Sequence, residues 1–153
     1  MLDQIDRRIL DEMQENSRIS AEELAVRAGT SRSSVQRRLQ QMHAAKLIER
    51  EAAQLNPALT ASFMTFIVEV ELERERVDLL DEFRRSMHAL PEVQQCYYVT
   101  GHTDFILLVL ARDMQSYEQF SRRVFVENPN IRRFHTNVVV DRVKVSLKVP
   151  LNT

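Results

Sequence analysis

The sequence predicts an α+β protein with an N-terminal winged helix-turn-helix and a C-terminal ferredoxin-like βαββαβ sandwich. Two observations predict this class. Residues 20–42 have the pattern of two short helices joined by a tight turn, and residues 63–149 alternate between strand and helix patterns in the order β-α-β-β-α-β. The predicted domains are residues 1–56 and residues 63–153. Residues 57–62 are the predicted linker.

The two short helices carry clear start and stop signals. Ser20 and Glu23 have the spacing of a capping box, and Ser31 is a good N-cap for the second helix. Gly29 lies between them, where a left-handed residue is required. Both helices place apolar residues at helical spacing toward a shared centre: Leu24, Ala25, Ala28, Val35, Leu39 and Met42.

The elements on either side complete the first domain. Residues 3–15 predict a helix with Asp3 as N-cap and an inner stripe of Ile5, Ile9, Leu10 and Met13, and Ile19 is expected to join the same core. Residues 46–55 predict a short strand or ribbon, the wing, before the breaker Asn56-Pro57.

The second domain alternates strands and amphipathic helices. The sequence predicts strands over 63–72, 93–100, 104–111 and 131–140, with a further alternating segment at 143–149. It predicts helices over 77–90 and 114–128, with inward stripes of Val77, Leu80, Phe83 and Met87, and of Met114, Tyr117, Phe120 and Val124. With both helices on one face, the other sheet face is left open and apolar, which predicts a second copy as partner.

Charge is informative only locally. The 153 residues have a net charge of −1, but residues 31–48 contain four basic side chains (Arg32, Arg37, Arg38 and Lys46) and no acid. A solvated helix face usually mixes both signs, so this patch favours DNA as partner. Base reading is expected from Arg32 or Gln36, and phosphate contacts from Arg37, Arg38 and Lys46, within an exposed face that also includes Ser31, Ser33 and Ser34. For Arg38 an ion pair with Asp6 is an equal alternative.

Other functional classes find little support. The single cysteine, Cys96, allows no intramolecular disulfide and is expected to be a buried apolar side chain in a reducing compartment. The four histidines lack metal-ligand spacing, and no catalytic grouping or nucleotide motif is present. Without a signal peptide or an apolar run approaching about 20 residues, the chain is expected to be soluble and cytoplasmic, with no membrane partner. We therefore predict no enzyme, metal or cofactor.

Three segments together resemble the Lrp/AsnC family of feast/famine transcriptional regulators. They are LDQIDRRILDEMQENSRIS (residues 2–20), LAVRAGTSRSSVQRRLQQM (24–42) and VQQCYYVTGHTDFILLV (93–109), which is similar to the family's Thr/Ser-Gly-x-x-Asp-Phe/Tyr element. The resemblance implies homodimers that often assemble into octamers. It also implies binding to double-stranded DNA, modulated by a small molecule that is commonly an amino acid.

The resemblance also implies an effector site around the Gly-x-x-Asp turn, where sandwich domains of neighbouring dimers meet. Carried over by position, it contains Tyr98, Thr100, Gly101, His102 and Asp104, with Met114, Asn137, Val138 and Val139 nearby. Asp104 and the backbone of the turn would serve the ammonium and carboxylate of an amino acid. The alternative for Asp104 is a carboxylate that caps its own turn, and His102 is expected to be an exposed loop residue.

Two departures from the family pattern concern the end of the recognition helix and the wing. Lys46 and Arg50 stand where the family often has glycine. A non-glycine residue in a left-handed C-cap costs about 1 kcal/mol, so this helix is expected to end differently. Arg50 would add a phosphate contact or alter the wing.

Two functions from different classes are consistent with these features. The first is a sequence-specific transcriptional regulator whose DNA binding or assembly responds to a small molecule, and the acid-free recognition helix favours it. The alternative is an architectural DNA-wrapping protein without a ligand response. Sequence-tolerant DNA binding that no amino acid alters would indicate the second function.

Overall fold

A computed structural model of the chain describes residues 2–56 and 63–151, which form two compact units. The first unit contains the described residues up to Gln54 together with those from Lys144 onward, and the second contains those from Leu55 to Val143. The predicted linker, residues 57–62, lies outside the described residues. The prediction assigned residues 63–153 to one domain, whereas those from Lys144 onward group with the first unit.

Three helices form the first unit: α1 (Gln4–Glu15), α2 (Ala21–Ala28) and α3 (Arg32–Ala44). Five of their buried side chains form one cluster, and Ile5, Met13, Ile19 and Leu39 pack against it. Leu10 and Met42 are also buried but lie outside this cluster. Fully or almost fully buried members are Ile9, Leu24, Ala25, Ala28 and Val35. The predicted inner stripes of all three helices are therefore confirmed.

The helix starts agree with the predicted caps, with one difference. Asp3 caps α1 in a complete capping box with Asp6, because each side chain accepts a hydrogen bond from the other residue's amide. Ser20 accepts from the Glu23 amide at 3.1 Å, but the Glu23 carboxylate pairs with Arg27. Ser20 therefore acts as a simple N-cap, and the predicted reciprocal box is incomplete.

The predicted wing strand is absent from the described chain. Residues 45–48 form turns and bends, and residues 49–56 are irregular. A strand requires a neighbouring strand for its main-chain hydrogen bonds, and within this described chain residues 46–55 pair with none. Within its described residues the first unit is thus a helix-turn-helix without the predicted wing.

The second unit is an antiparallel sheet of order β2-β3-β1-β4. Its strands are β1 (Met64–Leu72), β2 (Val93–Tyr98), β3 (Phe105–Ala111) and β4 (Ile131–Val138). Helix α4 (Val77–Ala89) connects β1 to β2, and helix α5 (Met114–Ser121) lies between β3 and β4. Helix α5 continues as a π-helical segment, Arg122–Val126. This order confirms the ferredoxin-like βαββαβ fold.

The core of this unit lies on one face of the sheet. Strand residues Phe66, Val68, Phe105 and Leu107 are at most 1% exposed and pack with Phe83, Met87, Tyr117, Phe120 and Phe125 from the helical segments. Two predicted inward residues are exceptions, since Val77 is 72% and Met114 53% exposed. Each is the first residue of its helix, one turn before the first residue that the core buries.

The opposite sheet face has half-buried apolar side chains, including Ile67, Ile106, Leu108 and Leu110. Cys96, which was expected to be buried, lies on edge strand β2 and is exposed. Partial burial of its thiol nevertheless raises the pKa to about 11. The prediction that Cys96 is buried was therefore wrong: the residue is exposed because β2 is an edge strand of the sheet, and only its thiol is partly buried.

The tail from residue 144 runs along α1 instead of adding a strand. The Gln14 amide donates to the Val149 carbonyl at 3.1 Å and accepts from the Val149 amide at 2.7 Å. Arg7 donates to the Leu151 carbonyl at 2.9 Å, and Lys148 pairs with Glu15 at 2.6 Å. Main-chain groups that a sheet would use are thus bound by helix side chains. None of the helices in the described part of the chain is long and apolar enough to cross a membrane.

Candidate DNA-binding and effector sites

Helix α3 presents a polar face built by its own packing. Val35 and Met42 are buried on one side. Ser31, Arg32, Ser33, Gln36 and Arg37 are exposed, and Ser34 is half-buried. Ser31 also caps the helix by accepting from the Ser34 amide at 3.2 Å. The turn before the helix is fixed by Gly29, whose φ of +71° is left-handed as the sequence predicted.

Arg38 forms the ion pair that was the alternative to a phosphate contact. Its guanidinium lies 2.5 Å from the Asp6 carboxylate and 2.7 Å from that of Asp3, and its side chain is only 17% exposed. Hydrogen bonds to Asp3 and then Asp6 raise the pKa of Arg38 above its ordinary value. Arg38 thus joins α3 to the start of α1, and its charge is already neutralised.

The remaining basic residues differ in their surroundings. Arg32 pairs with Glu22 of α2 at 2.9 Å, so an acid lies beside a helix face that contains none of its own. Arg37 donates to the Gln41 amide oxygen at 3.3 Å, and no ion pair of Arg37 occurs among the described residues. Arg37 is therefore an exposed guanidinium without a neutralising partner in that part of the chain.

The end of α3 corrects one expectation. Lys46 adopts a left-handed φ of +54°, its amide donates to the His43 carbonyl, and the Leu47 amide donates to that of Met42. These two bonds define a Schellman motif, in which the left-handed position usually belongs to glycine. The helix therefore ends in the ordinary way despite Lys46, and it does so with a strained lysine.

A cavity of about 710 Å³ opens at the end of the sheet where β2 turns into β3. Three of the predicted effector residues line it, namely Tyr98, Thr100 and His102. Gly101 belongs to the same turn and has a φ of +128° that favours glycine. The cavity is a shallow depression that is open to solvent on one side.

Asp104 lies beside this turn but serves the backbone. Its carboxylate accepts from the Leu72 amide of β1 at 2.6 Å, and its own amide donates to the Val70 carbonyl at 2.9 Å. It is not among the residues that line the cavity. Asp104 thus holds the turn against β1 through one carboxylate oxygen, and its part in binding an effector stays a prediction.

Other predicted effector residues are not brought to the cavity within one chain. Met114 begins α5, while Asn137 and Val138 pair with Ile67 and Phe66 of β1, and the Val139 amide donates to Thr65. None of the four lines the cavity.

Four lining residues were missed by the sequence reasoning: Glu69, Val99, Thr103 and Ile106. Glu69 lies half-buried in β1 between the buried residues Val68 and Val70. Its position as an acid in an alternating apolar strand was the available signal. Nothing in the sequence indicated that β1 and the turn after β2 meet, because this depends on the register between β1 and β3.

No group of three or more His, Cys, Asp or Glu side chains that could hold a metal ion occurs within residues 2–56 and 63–151.

Two sequence-family profiles match the chain. The AsnC-type helix-turn-helix domain matches residues 2–43, and the Lrp/AsnC ligand binding domain matches residues 65–149. Together they include the exposed face of α3 and the cavity beside the β2–β3 turn, while Lys46 lies between the two matched ranges.

Similar proteins agree with these matches. An uncharacterised HTH-type transcriptional regulator of Sinorhizobium fredii is 45% identical over 98% of this chain and 89% of its own length. The leucine-responsive regulatory protein of Escherichia coli is 34% identical over 99% of this chain and 93% of its own. A transcriptional regulator from Neisseria meningitidis, solved in complex with L-Met, superposes with a TM-score of 0.91 at 30% identity, covering 99% of this chain and 98% of that one.

Proposed function

The chain belongs to the Lrp/AsnC family of transcriptional regulators, with a helix-turn-helix and a ligand-binding domain, and we propose that a free amino acid is its effector. The observation that supports this most directly is the cavity beside the β2–β3 turn. The regulator from Neisseria meningitidis that shares this fold was solved with L-Met. This family is not enzymatic, so binding alone must carry the response.

Glu69 is the proposed acceptor for the effector's ammonium group. It is an acid in the cavity, and it is half-buried, where a carboxylate attracts an ammonium more strongly than in open water. Asp104, the acceptor suggested by position in the family, already accepts from the Leu72 amide. The hydroxyl of Thr100 and the main-chain amides of the turn would bind the effector's carboxylate.

The DNA interface is proposed to be the exposed face of α3. Arg32 and Gln36 would read base edges, and Arg37 would contact a phosphate, with Lys46 near the helix end. The absence of a described acid partner for Arg37 supports its role, while the neutralised Arg38 is better assigned to structure. Double-stranded DNA is the partner, and in a bacterial cell this places the protein in the cytoplasm.

A homodimer, assembling further into an octamer, is the proposed form of the protein. The open sheet face has half-buried Ile67, Ile106 and Leu108, which a second copy would cover. Light scattering during size-exclusion chromatography measures the mass directly. A monomer at all concentrations would contradict this proposal.

The test of the amino-acid proposal is fluorescence anisotropy on DNA from upstream of the protein's own gene and on a shuffled fragment, with and without a pool of the twenty amino acids. We expect preference for the first fragment and a shift in affinity caused by the pool. Glu69→Gln should remove that shift, while Glu73→Gln, an exposed residue just beyond β1, should retain it. Equal binding to both fragments with no effect of the pool would indicate the architectural alternative.

A further inference from the structure

An acid from α2 lies against the first residue of α3. The Glu22 carboxylate is 2.9 Å from the Arg32 guanidinium, and the two side chains are 60% and 61% exposed. Glu22 lies in the first turn of α2, and Arg32 opens α3 directly after its N-cap, Ser31. The exposed face of α3 therefore has an acid beside it in space, although none is present in the sequence of the helix.

This pair differs from the other arginine pairs of the first unit. Arg38 and its partner Asp6 have side chains only 17% and 16% exposed, so DNA has little access to them. Arg27 is shared between Glu12 of α1 and Glu23 of its own helix, away from α3. Glu22 and Arg32 are both open to solvent, and an exposed pair of this kind is weak and easily exchanged for another partner.

The position of Glu22 affects phosphate and base contacts differently. A phosphate that binds Arg32 brings its negative charge close to the Glu22 carboxylate, and like charges in an interface are unfavourable. A guanine edge is uncharged and needs two of the five N–H donors of arginine for O6 and N7, which leaves donors for the carboxylate. Glu22 therefore opposes a phosphate contact of Arg32 while it remains compatible with a guanine contact.

We propose that Glu22 is a specificity-determining residue of the DNA interface, which orients Arg32 toward a base edge and disfavours its binding to phosphate. The inference rests on the proposed interface on α3. Glu22 lowers affinity for all DNA but lowers it most for sequences that offer Arg32 only a phosphate. Discrimination between operator and random DNA thus depends on a residue outside the recognition helix.

The test variant is Glu22→Gln, with Glu23→Gln as the matched control. Both remove one negative charge from the same turn of α2, but the Glu23 carboxylate pairs with Arg27. The DNA is a duplex selected by the wild-type protein from a randomised library, compared with a shuffled duplex, in anisotropy titrations between about 50 and 200 mM salt. Circular dichroism confirms that both variants are folded.

Glu22→Gln should strengthen binding to the shuffled duplex and steepen its salt slope by about 0.9, the value for one added phosphate contact. Over a fourfold range of salt this corresponds to about a 3.5-fold additional change in affinity. The ratio of selected to shuffled affinity should fall, and Glu23→Gln should leave that ratio unchanged. In an Arg32→Gln background Glu22→Gln should no longer change this ratio.

Equal effects of the two Gln variants on both duplexes would overturn this inference and leave the interface on α3 intact. So would a change in the ratio of selected to shuffled affinity that Glu22→Gln still causes without Arg32. Arg37→Ala distinguishes the two failures. If that variant binds both duplexes as the wild type does, the interface itself is wrong, and the assignment of Glu22 is wrong with it.

Discussion

Arg37 and Arg38 are neighbours in sequence with opposite expected roles, and a paired substitution separates them. Arg37 is exposed and bonds only the Gln41 amide among described contacts, whereas Arg38 is held by Asp3 and Asp6. Arg37→Ala should remove one phosphate contact and therefore lower the salt slope of DNA binding by about 0.9. Arg38→Ala should leave the slope unchanged, because its charge is already neutralised.

The size of the effect follows from counterion release. A slope difference of about 0.9 changes the affinity ratio of wild type to Arg37→Ala by about 3.5-fold when salt rises from 50 to 200 mM. The loss of DNA affinity in Arg37→Ala relative to the wild type should therefore become smaller by that factor at the higher salt concentration. This loss should be similar for selected and shuffled duplexes, since phosphates carry no sequence information.

The assay is a salt series of anisotropy titrations, accompanied by thermal unfolding of each variant. Arg38→Ala should lower the melting temperature, because it leaves the carboxylates of Asp3 and Asp6 without their cation. Arg37→Ala should melt like the wild type. An unchanged slope for Arg37→Ala, or a reduced slope with normal melting for Arg38→Ala, would refute this reasoning.

Three further predictions concern stability and reactivity. Lys46→Gly should stabilise the protein by about 1 kcal/mol in urea unfolding, because glycine adopts the left-handed C-cap without strain, and Lys46→Ala should give no such gain. Gln14→Ala should increase hydrogen exchange at the Val149 amide, which donates to Gln14, while exchange in β3 stays unchanged. Cys96 should react with iodoacetamide far more slowly at pH 8 in the folded protein than in urea, because a thiol with a pKa of about 11 is about 0.1% thiolate at that pH.

Each of these predictions has a contrary outcome. Equal stabilities of the Lys46 variants would show that the left-handed lysine is not strained, and unchanged exchange at Val149 would show that Gln14 does not hold the tail. Equal alkylation rates in buffer and urea would contradict the raised pKa of Cys96.

Local signals in the sequence were sufficient for most of the fold. The caps at Asp3 and Ser31 and the left-handed Gly29 depend on residues within four positions, so the sequence alone determines them. Periodicity likewise identified every helix and strand of the ferredoxin-like unit. The exceptions were segments whose structure depends on distant partners. Residues 46–55 were predicted as a strand but have no described neighbour to pair with, and the tail alternates but bonds α1.

The sites were less predictable for the same reason. Glu22 reaches Arg32 through the packing of two helices, and Glu69 reaches the β2–β3 turn through strand register. Both are acids whose function depends on what the fold places opposite them. A sequence pattern indicates which face a residue occupies, but it does not indicate which residue of another element lies opposite.

Glu69 also distinguishes the two functions that the sequence left open. A sheet face used only for assembly gains from apolar side chains such as Ile67 and Ile106, and a half-buried carboxylate among them lowers stability unless a cation or a donor compensates it. Replacing Glu69 with an apolar residue should therefore leave assembly intact whichever function the protein has. A sensor would assemble equally well but lose its response to an amino acid. Glu69→Leu, measured by light scattering and by anisotropy with the amino-acid pool, separates these cases. Retained assembly with a lost response is the result that we expect.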